Sequence, residues 1–166
     1  MPILIDGNNL LHAAQAIGEP DEVLARSALC RRLGDWTRRT RQPVRIVFDG
    51  TPPAPSLARQ IADPDVDVIF SGPHSADERI KQLLTEDSAA RRLIVVSTDH
   101  EVSAAARQRR ARPMRSDEFW RRVLKDLSRP QRAALEPPEK RAGEGRAQTD
   151  EWLREWGLEI RETDEF

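Results

Sequence analysis

The sequence predicts an α/β protein, a three-layer α/β/α sandwich around a mainly parallel sheet. Three observations point there. Apolar runs of strand length recur at residues 3–5, 44–48, 66–70 and 93–97. Stretches with helical spacing or helix-start signals lie between them. The runs are largely apolar rather than cleanly alternating, as expected of strands covered by helices on both faces. Right-handed crossovers between parallel strands then place helices on either side of the sheet.

Each element has its own warrant. Ile3-Leu4-Ile5 is too short and apolar for a half-exposed strand and reads as a buried one. Residues 9–16 can form a helix, which Gly18-Glu19-Pro20 ends. Asp21 is an N-cap candidate for a long helix reaching about Arg41. In it Ala25, Leu29, Leu33 and Trp36 share one face, while Arg31 and Arg38 point away. Pro43 ends that helix, and residues 44–48 form the second strand, closed by Asp49-Gly50. Thr51-Pro-Pro-Ala-Pro-Ser56 reads as a proline-rich loop before the third strand, residues 66–70. Ser75-Ala-Asp-Glu78 matches a capping box for a helix reaching about Ala90. Residues 93–97 form the fourth strand. Thr98-Asp-His-Glu101 is a second capping-box match, opening a helix to about Arg109. Pro113-Met-Arg holds a short fifth strand, and Ser116 caps a last helix with Trp120, Val123, Leu124 and Leu127 on one face.

From Ser128 the composition changes. The predicted organisation is a folded domain over residues 1–127, a polar Pro/Gly-rich linker over 128–148, and an amphipathic helix with an acidic tail over 149–166. The 166 residues suit one core of ordinary size, and 33% charged residues imply a wet surface. No apolar run spans a bilayer and no leader precedes the first strand, so a cytoplasmic protein is the default expectation. One cysteine, Cys30, excludes an internal disulfide and any Cys-rich zinc site; it reads as a small buried helix residue. The net charge of −1 hides arginine clusters at residues 26–45 and 107–122. Guanidinium forks match phosphate oxygens, so these clusters, including Arg38 and Arg39, are candidate contacts to an anionic polymer.

Ligands in open parallel sheets bind beyond the carboxyl ends of the strands. Those ends carry acids: Asp6 after the first strand, Asp49 after the second, Asp99 after the fourth, and Asp77 in the helix following the third. Singly, each has an ordinary explanation as a turn residue or a helix-start charge. Together they conflict, because two carboxylates about 4 Å apart repel by roughly 4 kcal/mol at an effective dielectric near 20. A cation removes the conflict. All-oxygen ligands without a Cys/His cluster select Mg²⁺ or Mn²⁺. Such an ion beside basic residues points to phosphodiester hydrolysis. Two other readings compete. One is an RNA- or ribosome-binding module without catalysis, which the arginines alone would support. The other is an aspartate-based phosphatase, disfavoured because the second acid expected two residues after the first is replaced by Asn8. Ser97 and Thr98 are further candidates for hydrogen bonds to phosphate. His12, His74 and His100 are scattered and read as surface residues.

The segments LIDGNNLL, VFDG, SADERI and VVSTDHEV, in this order and spacing, resemble the NYN branch of PIN-like nucleases, and within it the YacP-like group. The resemblance implies a Rossmann-like PIN fold and a Mg²⁺- or Mn²⁺-dependent endoribonuclease; the group includes one acting on mRNA at the ribosome. It implies Asp6, Asp49, Asp77 and Asp99 as the catalytic, metal-holding acids and Asn9 as a residue positioning Asp6 or the scissile phosphate. RNA is the implied partner, with the ribosome as a further one. The sequence departs from the group at Asn8, where many members carry an aromatic ring.

Overall fold

A computed structural model of the chain describes residues 1–18 and 25–130. The elements run β1 (Ile3–Asp6), α1 (Gly7–Ile17), α2 (Arg26–Thr40), β2 (Val44–Phe48), α3 (Pro55–Ile61) and β3 (Val66–Phe70). There follow α4 (Ala76–Glu86), a 3₁₀ turn (Ala90–Arg92), β4 (Ile94–Val96), α5 (His100–Gln108), β5 (Arg112–Met114) and α6 (Ser116–Ser128). The five strands form one fully parallel sheet in the order β3-β2-β1-β4-β5.

Alternation along the strands feeds two cores. Ile3, Ile5, Ile46, Phe48, Ile94 and Val96 pack with the buried residues of α1, α2 and α6. Leu4, Val47 and Val95 point the other way, onto Ile80 and Leu84 of α4 and Val102 and Ala106 of α5. Both faces are therefore covered, which explains the apolar strands. Trp36 locks α2 to α6: its ring is fully buried edge-on to Phe119, with centroids 5.5 Å apart, and its indole N–H donates to Asp126 at 3.1 Å. Pro113 is tolerated because β5 is an edge strand, where a missing N–H costs no ladder bond on its open side.

The order reverses at β1, whose neighbours β2 and β4 lead the chain off in opposite directions. A crevice opens at such a switch point, beyond the carboxyl ends of the strands. The peptide there is tightly packed. A Cβ added to Gly7 would lie 2.5 Å from the Phe48 ring and 2.8 Å from the Val47 carbonyl oxygen. Only glycine lets α1 turn away from β1 so closely over β2.

Several boundaries differ from those the sequence predicts. Helix α1 begins at Gly7, because Asp6 itself is the N-cap. Helix α2 begins at Arg26 with Ala25 as an exposed cap that supplies no side-chain hydrogen bond; Asp21 lies outside the described residues. The proline loop contains the start of α3, since Pro55 occupies a first-turn position where no N–H is needed. Helix α4 stops at Glu86, short of Ala90. Asp99, not Thr98, caps α5, because its carboxylate reaches the amides of Glu101 and Val102. Ser116 is the first residue of α6 rather than its cap, and its buried hydroxyl has no partner among the described residues. The linker and the tail helix fall outside the described residues.

Gly7→Ala should destabilise the protein by about 1–3 kcal/mol through overpacking against Phe48. That outweighs the gain of up to about 1 kcal/mol from replacing a helical glycine. Urea unfolding measures it, and an unchanged or raised midpoint would contradict the packing described.

Candidate metal centre

Asp6 ends the central strand and is only 3% exposed. Its Oδ1 accepts the Asn9 backbone N–H at 3.1 Å, and its Oδ2 accepts the Asn9 side-chain amide at 3.0 Å and the Ser97 hydroxyl at 3.1 Å. The Ser97 Oγ in turn accepts the Asp99 N–H at 3.0 Å. One serine thus ties the end of β1 to the start of α5. Asp99 turns its own Oδ1 to the N–H groups of Glu101 at 2.6 Å and Val102 at 3.1 Å.

Asp49 follows β2. Its Oδ1 accepts the Ala76 N–H at 2.6 Å, and its Oδ2 accepts the Asn8 side-chain amide at 2.6 Å. Ala76 is the first residue of α4, so Asp49 holds that helix start against the sheet edge. The capping box of Ser75 and Glu78 fixes the turn. The next residue, Asp77, is thereby carried to the rim.

Asp77 differs from the other three. No donor among the described residues hydrogen-bonds its carboxylate. Its pKa is pushed up to about 6, first by partial burial, then by the negative charges of Asp6 and Asp99, with a smaller push from Asp49; Lys81, one turn along α4, opposes the shift. The four acids therefore share one electrostatic neighbourhood at the switch point. Among the described residues, no three His, Cys, Asp or Glu side chains form a closed ligating group. The donor set still suits Mg²⁺, which keeps most of its waters and takes one or two carboxylates. Neither the Asp77 carboxylate nor the Asp99 Oδ2 accepts a hydrogen bond from the described residues.

The other predicted contacts sort differently. Asn9 bridges two elements: its amide donates to Asp6, and its Oδ1 accepts the Thr98 hydroxyl and the Thr98 N–H. Ser97 is buried in the support of Asp6 and Asp99. These three groups position acids. Arg38 and Arg39 lie elsewhere, in the last turn of α2, which leads to the amino ends of the strands. Arg38 is spread over Asp35, Asp63 and Asp65. Arg39 donates to the carbonyls of Leu127 and Arg129. The structure does not bring either to the acid rim: Arg38 is consumed in holding α2 to the turn before β3, and Arg39 in holding α2 to the end of α6. His12, His74 and His100 are exposed. Burial pushes the Cys30 thiol up to about 12, so it stays protonated at neutral pH.

Sequence reading passed over Lys81, counted Arg26 only as one member of the 26–45 cluster, and noted Asn8 only as a departure from the family pattern. Asn8 anchors Asp49, and the Arg26 guanidinium donates to the Asn8 Oδ1 at 3.3 Å. Lys81 stands four residues after Asp77 and pairs with Glu101 at 2.6 Å. The i, i+4 spacing from Asp77 was the available signal for Lys81; nothing local marks Asn8 or Arg26.

A family model described as the YacP-like NYN domain matches residues 3–158. The chain belongs to the YacP-like NYN domain family. The family is nuclease-like. Its match runs past residue 127, into the segment that composition sets apart as linker and tail. Among solved structures, this YacP-like chain is similar to Rae1 (YacP) from Bacillus subtilis, with a TM-score of 0.62 and 22% identity over 95% of this chain and 92% of that one. A tryptophan-to-leucine mutant of the same Bacillus subtilis protein aligns with a TM-score of 0.57 and 21% identity, over 96% and 86% of the two chains. At these identities the likeness is one of fold, and it agrees with a PIN-like α/β/α arrangement. No curated protein matches the sequence. Among the described residues, no helix is long and apolar enough to cross a membrane.

The raised pKa of Asp77 has a consequence for stability. Folding moves it from 3.8 to about 6, so the ionised group costs stability that is absent below pH 3.8 and complete above about pH 6. Asp77→Asn should therefore raise the Tm near neutral pH in the presence of a chelator. The gain should shrink as the pH falls from about 6 towards 3.8. Thermal melts across that window check it, and a gain that grows on acidification would contradict the assigned repulsion.

Proposed function

We propose that this YacP-like NYN protein is a Mg²⁺- or Mn²⁺-dependent endoribonuclease that hydrolyses RNA phosphodiester bonds. The observation that carries the reading is Asp77, a carboxylate without a donor among the described residues, held in the field of Asp6, Asp49 and Asp99. Family membership supports the coarser part, a nuclease-like domain.

Asp77 and Asp99 would hold the ion, with Asp6 and Asp49 completing the acidic set around it. A bound divalent ion supplies a water of lowered pKa and stabilises charge building on the phosphate. The chain does the rest. Asn9 and Ser97 hold Asp6 in place by donating to it. Asn8 and the Ala76 amide do the same for Asp49, which fixes the start of α4 and so the height of Asp77. Lys81 tempers the local negative charge without entering the acid set.

Asp77 is also the position to mutate. Asp6→Asn would turn an amide donor towards groups that already donate, and the fold would suffer. Asp77→Asn removes charge from a side chain that hydrogen-bonds no group among the described residues. Losing a ligand that supplies several kcal/mol of transition-state stabilisation, at about 1.4 kcal/mol per decade, implies at least about a hundredfold loss of Mn²⁺-dependent RNA cleavage. Unaltered cleavage by Asp77→Asn, or cleavage that persists in EDTA, would sink the proposal. RNA binding that survives EDTA with no cleavage at any metal concentration would instead identify a binding module of the same fold.

A further inference from the structure

Beside the acid rim lies a second cleft, of about 300 Å³, between the start of α2, the loop after Asp49 and helix α3. Arg26, Thr51, Pro53, Leu57, Gln60 and Ile61 line it. Leu57 stands at 47% exposure; Met1 is the other large apolar side chain left exposed among the described residues. Arg26 joins this cleft to the acids. Its guanidinium lies 5.0 Å over the Phe48 ring and donates to Asn8, which donates to Asp49.

Arg26 is unlike the arginines that the fold consumes. Arg38, Arg45, Arg115 and Arg121 face carboxylates, and Arg39 and Arg109 face carbonyls. Among the described residues, no carboxylate lies within ion-pairing distance of Arg26. Its charge lies over an aromatic ring at the edge of the proposed cleavage site. Phosphate is the anion an RNA strand offers there, and a guanidinium fork suits it.

We infer that this cleft is a nucleotide subsite: Arg26 takes a phosphate neighbouring the scissile one, and one unstacked base lies against Leu57 and Pro53. The inference rests on the proposed RNA substrate. Thr51 and Gln60 supply donors and acceptors for a base edge. A base still paired in a duplex cannot enter, so the cleft makes the protein selective for single-stranded RNA. The chain has no tyrosine and few aromatics, and here an aliphatic wall and an arginine plane take the place of an aromatic platform.

The test compares the full chain with Arg26→Gln and Leu57→Asp, using a short fluorescent single-stranded oligoribonucleotide and the same sequence as a duplex, in EDTA. Each variant should bind the single strand roughly tenfold more weakly while duplex binding changes by less than about twofold. Arg26→Gln should also lower the slope of log affinity against log salt by about one. In Mn²⁺, Leu57→Asp should raise KM and leave kcat in place, as loss of uniform binding does. Wild-type affinity in both variants, equal losses on single strand and duplex, or no RNA binding by the unaltered chain would each overturn the subsite. Variant-sensitive binding without cleavage keeps the subsite and removes the nuclease reading; cleavage with variant-insensitive binding does the reverse.

Discussion

One buried carboxylate organises the carboxyl edge of this sheet. Asp6 ends the central strand, caps the first helix and accepts three hydrogen bonds from Asn9 and Ser97. Burying a charge without donors costs several kcal/mol, so its surroundings have little freedom to be otherwise. Gly7 must be small so that α1 can leave at once, Asn9 must reach back, and Ser97 must sit at the end of β4. Ser97 then passes the constraint on through the Asp99 N–H. The register of β1 with β4 and the start of α5 thus meet at one group.

The second acid, Asp49, works by the same logic on the other side of β1. It binds the first amide of α4 and the side chain of Asn8. Two adjacent asparagines at the start of α1 therefore serve two different acids, one at the end of β1 and one after the neighbouring β2. The groups that hold Asp6, Asp49 and Asp99 are neutral donors and cancel no charge, so Asp77 feels all three acids. A site of this kind does not need four open ligands. It needs fixed negative charge and one or two free carboxylate oxygens, which is what Asp77 and Asp99 offer.

Much of the fold was legible because strand length, apolar runs and helix starts are local signals. Residues 44–48 and 66–70 match β2 and β3, and the Ser75–Glu78 box opens α4 as read. Failures arose where two local signals competed. Asp6-Gly7 reads as a turn, yet Asp6 caps a helix that glycine starts. Three prolines read as loop, yet Pro55 sits where a helix tolerates it. Thr98 and Asp99 both qualify as caps, and the distant Asn9, which takes the Thr98 hydroxyl, leaves the helix amides to Asp99. The acid set was legible because strand ends share one edge in a parallel sheet. The arginines were not, since partners such as Asp63 and the Leu127 carbonyl are distant in sequence: Arg38 and Arg39 looked available, and Arg26 looked like any other member of its cluster.

In the proposed cation site the four acids meet at the switch point, with Asp77 the carboxylate left open for the ion. A crystal structure of the chain soaked in Mn²⁺, with anomalous data, tests it most directly. The expected result is a peak beside Asp77 and the free oxygen of Asp99, at the roughly 2.0–2.6 Å typical of hard-cation oxygen ligation, with Asn8 and Asn9 still holding Asp49 and Asp6. Crystals saturated with Mn²⁺ that show no peak at the acid rim, with Asp77 turned away from Asp6 and Asp99, would contradict it.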